Sequence, residues 1–334
     1  MEWLNGFTYP YNFHQWLALF YIYAFFGWVY ECLFVSVQKR KWVNRGFMVG
    51  PMLPLYGSGA VVMLFVALPF RENLFLVYIA GCIGATILEY ITGVLMEKLF
   101  KVRYWDYSDK KFNFQGHIYL GATLLWGFFT VAMVWIVNPP IANLILQIDD
   151  GVLEGIVFVI SMIAIADFTY SFKAALDLKA LLLRLETSKK DMERLYQRLE
   201  DLITQSNENR TLHLETITGQ MGQRAKNGLS KLENYMESRL EAMRQQLEEL
   251  KKLEYRGGLT RNEATRKFWD ELDEIKERLA VFYEKRKNVQ KQYSFGIRNL
   301  LKGNPDAVTK EDVSLLEELR NMLESEKKKK NHGK

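Results

Sequence analysis

Three carboxylates, Glu31, Glu89 and Asp167, stand inside long apolar stretches, where a charge at the bilayer centre costs about 2.5–3.5 kcal/mol and so calls for a purpose. Glu31 lies about two turns, and Glu89 about three turns, before the basic residues that follow its stretch. Asp167 has a comparable depth in a third stretch. If these stretches pack as a bundle, the acids meet at one level, beneath loops from which Arg45 and Arg103 reach in. The chemistry open to such a set is the binding or passage of a small polar or cationic solute. Its cavity would be lined by Glu31, Glu89 and Asp167 and roofed by Arg45, Trp105, Asp106 and Tyr107. The plainer alternative is that the charges pair, Glu31 with Arg45 and Asp106 with Arg103, and hold the loops on the bundle.

Positioning these side chains falls to five stretches, each near the ~20 apolar residues that a helix needs to cross ~30 Å of hydrocarbon. They run over 14–38, 52–70, 73–100, 117–138 and 152–172. Pro54, Gly57 and Gly59 interrupt the start of the second, so an irregular or re-entrant entry is expected there. Lys39, Arg40, Lys41 and Arg45 follow the first stretch, and Lys98, Lys101, Arg103, Lys110 and Lys111 close the third; the loop 138–151 has no basic residue. Basic residues stay on the cytoplasmic side, so this alternation predicts five crossings of a plasma membrane, N-terminus outside and C-terminus cytoplasmic. Trp16, Trp42, Trp105 and Trp135 fall near the predicted span ends, as interfacial anchors do. No cleavable signal peptide is expected, because residues 1–15 lack a basic n-region and the first apolar stretch is too long for an h-region.

The remainder of the chain is of another kind. Residues 1–172 carry only 10 of the 44 Lys and Arg and 11 of the 39 Asp and Glu, a net charge of −1, while residues 173–334 carry +6. The mean hydropathy of −0.12 therefore describes neither half. No Gly or Pro occurs between Gly155 and Gly219, so the last span is expected to run on as one helix. Leu181, Leu185, Met192, Leu195, Leu199 and Leu202 follow alternating spacings of three and four, as a packed seam does. Met236 to Leu250 and Phe268 to Phe282 form further seams, separated by Gly257-Gly258, after which Thr260 and Glu263 make a capping box. The expected architecture is all-α. A five-helix membrane domain (1–172) precedes a cytoplasmic coiled-coil or hairpin region (173–302), then a short helix and basic tail (303–334). A parallel coiled coil that builds a homo-oligomer and a hairpin within one chain both fit the spacing.

One ordered set of residues has a familiar pattern. Gly27-Trp28-Val29-Tyr30-Glu31, Asn44-Arg45-Gly46-Phe47, Gly50-Pro51 and Pro54-x-Tyr56-Gly57 come first. Glu89-Tyr90-x-x-Gly93, Glu97, Trp105-Asp106-Tyr107-Ser108, Phe112-Asn113, Gly116 and Trp126-Gly127 continue it. Over residues 14–172 the chain resembles the CmpB-type, permease-like family of bacterial membrane proteins labelled ABC-transporter type IV. Where that family usually reads Gly-Arg-Ile, this chain has Gly116-His117-Ile118. The resemblance implies a transport subunit, and Tyr56 and Asn113 of the pattern join the ligand-binding candidates. The chain holds no G-x-x-x-x-G-K-[ST] loop, so a permease of this kind would draw on a separate ATPase subunit.

Other chemistries find little footing. Cys32 and Cys82 both lie in predicted spans, which argues against a disulfide framework or a zinc site, and no cofactor is expected. No metal-ligand spacing, nucleophile elbow or Cys-His pairing points to an enzyme. His117 reads as an interfacial residue, and Glu97, near a span end, as solvated. Basic and acidic residues are interspersed in the second half, so a solvated helix surface is expected and nucleic acid is not. The rival to transport is a membrane-anchored scaffold or sensor that acts through its helical extension.

Overall fold

Helix α1 (Phe13–Lys39) begins where Asn12 and Gln15 exchange side-chain-to-backbone hydrogen bonds, and it ends where Arg40 turns left-handed (φ 51°). Helix α2 (Pro54–Ala67) opens on a proline, whose missing N–H costs nothing in a first turn, and a 3-10 turn (Leu68–Phe70) extends it. Asn73 caps α3 (Leu74–Phe100) by accepting from the Leu76 amide. A two-residue hairpin, β1 (Asn113–Phe114) antiparallel to β2 (Ile118–Tyr119), leads into α4 (Leu120–Ala132). A π-helical turn (Met133–Val137) joins α4 to α5 (Asn138–Leu146); α6 (Asp150–Glu208) and α7 (Phe295–Gly303) complete the named helices. This computed structural model describes residues 10–208 and 294–309, with parts of 270–281 and 315–323.

Among the described residues, four helical stretches are long and apolar enough to cross a membrane: Phe13–Lys39, Leu74–Phe100, Leu120–Leu146 and the first part of α6; Pro54–Phe70 is apolar but shorter. Their outer faces remain apolar, with Phe26, Ile83, Ile87, Ile91, Phe128, Phe158 and Ile163 all exposed, as a surface solvated by lipid requires. The core between them joins Leu19 of α1, Ala60, Leu64 and Ala67 of α2, Val77 of α3 and Val157 of α6. Small residues set the helix spacing, since a Cβ at Gly27 would overlap the Tyr56 side chain, one at Gly57 the Phe20 carbonyl and one at Gly81 the Thr130 side chain. Gly59, by contrast, faces open space.

The fourth stretch departs from its expected bounds. Residues 113–119 form the hairpin, so the helix starts at Leu120. It then continues past 138 to Leu146 despite Pro139 and Pro140, because the π-helical turn before them takes up the lost backbone bonds. Asn138, expected in a loop, is buried: it accepts from the Tyr23 hydroxyl (3.1 Å) and donates to the Tyr11 hydroxyl (2.8 Å).

By contacts the chain divides into two compact units, Met1–Lys179 with Ser294–Val313, and Ala180–Tyr293 with Ser314–Lys334. This differs from a cut at 302, because Ser294–Val313 folds with the apolar helices. Helix α6 runs unbroken for 59 residues. In the second unit Leu181, Leu185, Met192 and Leu195 of the predicted seam are buried, as is Ile275. Arg198 stands 3.3 Å from Glu274 and 3.9 Å from Glu271 of the same chain. Among the described residues, Arg198 and residues 271–274 of one chain thus lie side by side. The seam from Met236 to Leu250, the Gly257-Gly258 break and the Thr260 capping box lie outside the described residues.

Because the Cβ of Tyr56 is fixed to its backbone, no rotamer change can relieve a methyl at position 27. We expect Gly27→Ala to push α1 and α2 apart and cost about 1–3 kcal/mol, read as a lowered melting temperature of the detergent-solubilised chain. An unchanged melting temperature would contradict this packing.

Candidate functional site

The loops 40–53 and 101–118 cover one end of the bundle, here called its basic end, and each is fastened by side chains from the helices beneath. Trp28 of α1 donates to the Asn44 side-chain oxygen (2.7 Å), and the Asn44 side-chain amide in turn donates to the Val49 carbonyl (2.8 Å). The Ser36 hydroxyl accepts from the Val43 amide, and the Cys32 thiol sulfur accepts from the Arg45 amide (3.2 Å). Phe47 fills the space between, with its ring 5.5–6.2 Å from those of Phe100, Tyr104 and Phe168. Much of the family-like pattern thus consists of residues that fold irregular backbone onto helices.

Each of the three carboxylates has its own partners. Glu31 accepts from the Tyr56 hydroxyl (2.6 Å) and faces the Arg45 guanidinium at 3.5 Å. Glu89, buried on α3, accepts from the Tyr107 hydroxyl (3.2 Å) and the Trp126 indole N–H (2.9 Å). Asp167 of α6 accepts from the backbone amides of Val49 (3.1 Å) and Gly50 (2.7 Å) and from the Ser171 hydroxyl (3.3 Å). Tyr107 joins the second loop to one of these, Glu89. Burial first, then the charge of Glu89 and its hydrogen bond, and further the charges of Tyr119 and Glu31, hold its hydroxyl well above the usual tyrosine range, so it stays a donor. Burial does the same for Tyr104, against the opposing pull of Arg45.

The second loop is held by a buried arginine. Arg103 donates through Nε to Glu97 (2.6 Å) and through Nη1 to Asp106 (3.2 Å) and the Ser108 hydroxyl (3.4 Å). Burial alone would raise the Asp106 carboxyl, but the Ser108 hydroxyl and amide, with Arg103, hold it below the usual carboxylate range. Trp105 donates to the His117 carbonyl, and Asn113 bridges the hairpin by donating to Lys110 and accepting from Gly116. Gly116 is left-handed (φ 73°), and a Cβ there would meet Arg103, Asp106 and Ser108.

Both anticipated pairings, Glu31 with Arg45 and Asp106 with Arg103, therefore form. His117 and Glu97 are not the interfacial and solvated residues expected of them: His117 is buried, with Nε2 3.1 Å from Glu97, the carboxylate that also holds Arg103. Among the described residues no group of three or more His, Cys, Asp or Glu is placed to hold a metal ion.

Comparison with known families gives a match over residues 18–172, to the model described as "Putative ABC-transporter type IV". Neither the curated proteins nor the solved structures contain a match to this chain. Over residues 18–172 the chain, with its apolar helices, is thus similar to a family of membrane transporter type.

Asp167 serves two amides at once, which a neutral amide side chain does less well. Asp167→Asn is expected to destabilise the loop by about 1–3 kcal/mol and to speed hydrogen exchange at the Val49 and Gly50 amides, with α6 itself unchanged. A group whose carboxyl is lowered on folding stabilises above its ordinary pKa. The contribution of Asp106 is therefore complete above about pH 4 and fades as pH falls further, through its folded value. The melting-temperature gap between the wild type and Asp106→Asn should shrink from pH 5 to pH 3; a gap independent of pH would contradict the assignment.

Proposed function

We propose that this chain is a permease-like transport subunit whose basic end carries a carboxylate site for a small polar or cationic solute, open to the cytoplasm. The observation that carries this reading is that Glu31 and Glu89, on different helices, each accept from a phenol, Tyr56 for the first and Tyr107 for the second, beneath the roofing loops. Intramembrane acids that share a polar level mark solute or proton paths more often than they serve packing. Glu31, Glu89, Tyr56 and Tyr107 line the site in this reading, and Arg45 is the group that an entering cation displaces from Glu31. Asp167, Arg103, Trp105, Asp106 and Asn113 hold the loops that roof it.

Five crossings fit this function. Tyr56 at the start of α2 meets Glu31, and Phe65 near its end lies 6.3 Å from Trp16, so α2 runs the length of α1 in the opposite sense. A stretch of ~17 residues is within the range that spans hydrocarbon. With basic loops inside, the N-terminus lies outside and the long helical region is cytoplasmic, in a plasma membrane. A separate ATPase subunit supplies the energy if transport is ATP-driven, and the chain itself catalyses no reaction. A second reading, a scaffold or sensor that acts through its extension, draws on the 59 residues of unbroken α6.

The full chain in liposomes should bind or pass at least one member of a panel of radiolabelled choline, putrescine and divalent cations. Glu31→Gln and Glu89→Gln should each lower that signal by about tenfold or more, the scale of a lost charge-assisted contact. Signals unchanged by both substitutions would remove the permease reading and leave the scaffold.

A further inference from the structure

The segment Ser294–Thr309 crosses the basic end of the bundle, and every stage of it is fastened there. Gly296 of α7 lies so close to Ala174 and Tyr170 that a Cβ would overlap Ala174, and a Cβ at Gly303 would strike the Asn44 carbonyl. Ile297, Leu300 and Leu301 turn the apolar face of α7 inward. Asn304, 3% exposed, donates to the Gly46 carbonyl (2.9 Å). Arg45 returns the contact through Nη1, which donates to the Gly303 carbonyl and the Asn304 side-chain oxygen, both at 3.3 Å. Asp306 pairs with Lys39 at 2.9 Å, and Val308 exchanges two backbone bonds with Arg103 (2.8 and 2.9 Å).

We infer that Ser294–Thr309 is a strap that latches the mouth of the candidate site, because the one guanidinium that faces Glu31, that of Arg45, is also held by the strap. The inference deepens the permease reading and rests on it for the meaning of the mouth. Three features make this a latch. The strap grips both roofing loops at the arginines that anchor them, Arg45 and Arg103. Helix α7 has nine residues, too few for a stable helix in isolation, so it stands only while docked. Both flanks of the strap continue in sequence into the second unit, Ala180–Tyr293 before it and Ser314–Lys334 after it. Asn304 is a positioning residue in this scheme. It holds Arg45 and Gly46 in place, and Arg45 in turn keeps its amide on the Cys32 sulfur.

Cys32, next to Glu31 and 2% exposed, reports on the latch without any solute. In the full chain with Cys82→Ala, inside-out vesicles are treated with a membrane-impermeant maleimide. Asn304→Ala combined with Asp306→Lys should raise the rate of Cys32 labelling about tenfold, as local opening becomes more frequent. Adding Lys39→Glu, which restores an ion pair of reversed sign, should recover part of the protection. Labelling at the wild-type rate in a release variant that elutes as the wild type does overturns the proposal. Should that variant aggregate, Lys39→Cys with Asp306→Cys decides, with labelling read at Cys32 alone by peptide mass spectrometry: Cys32 should label more slowly in the oxidised chain than in the reduced one, and equal rates at Cys32 overturn the latch. Faster labelling together with solute signals indifferent to Glu31→Gln would retain the strap and remove the permease reading.

Discussion

Backbone that leaves a helix at membrane depth must find partners for its amides and carbonyls, and this constraint organises the basic end of the bundle. The loop 40–53 meets it by borrowing: Ser36 takes the Val43 amide, Cys32 the Arg45 amide, Asp167 those of Val49 and Gly50, and Ala24 of α1 that of Leu53. The loop 101–118 is held by its own Arg103 and Asn113 and by Glu89 and Glu97 of α3. Without these partners the apolar helices would still pack, but the polar layer above them would have no fixed shape.

The same constraint separates the acids into kinds. Asp167 is saturated by amides and acts as a fastener. Glu31 shares a phenol and a guanidinium, so its charge is balanced by a side chain that also has other commitments. Glu97 holds two buried basic side chains, Arg103 and His117, at 2.6 and 3.1 Å. A shared depth in the membrane thus does not give these carboxylates a shared task.

The apolar helices were legible because length and hydropathy are local properties, and α1, α3 and α6 begin or end within a few residues of the bounds that composition suggests. The pairings of Glu31 with Arg45 and of Asp106 with Arg103 were legible too, since the partners are close in sequence or adjoin one span end. What escaped was set by distant backbone. Nothing near Asp167 announces the Val49 and Gly50 amides, which lie over a hundred positions away. Gly303-Asn304-Pro305 reads as a helix stop, and so it is, but the partners of Asn304 and Val308 are Gly46 and Arg103, which no periodicity predicts. Asn138 looked like loop because it precedes two prolines, a pattern that a π-helical turn can carry through a helix.

Glu89 is bonded by one phenol and one indole, both uncharged. Neither donor brings a positive charge, so the described hydrogen bonds orient this carboxylate without neutralising it. In the proposed reading, a proton on the carboxyl oxygen or a cation beside it would supply the charge that these two donors do not, so that counter-ion and cargo would be the same particle.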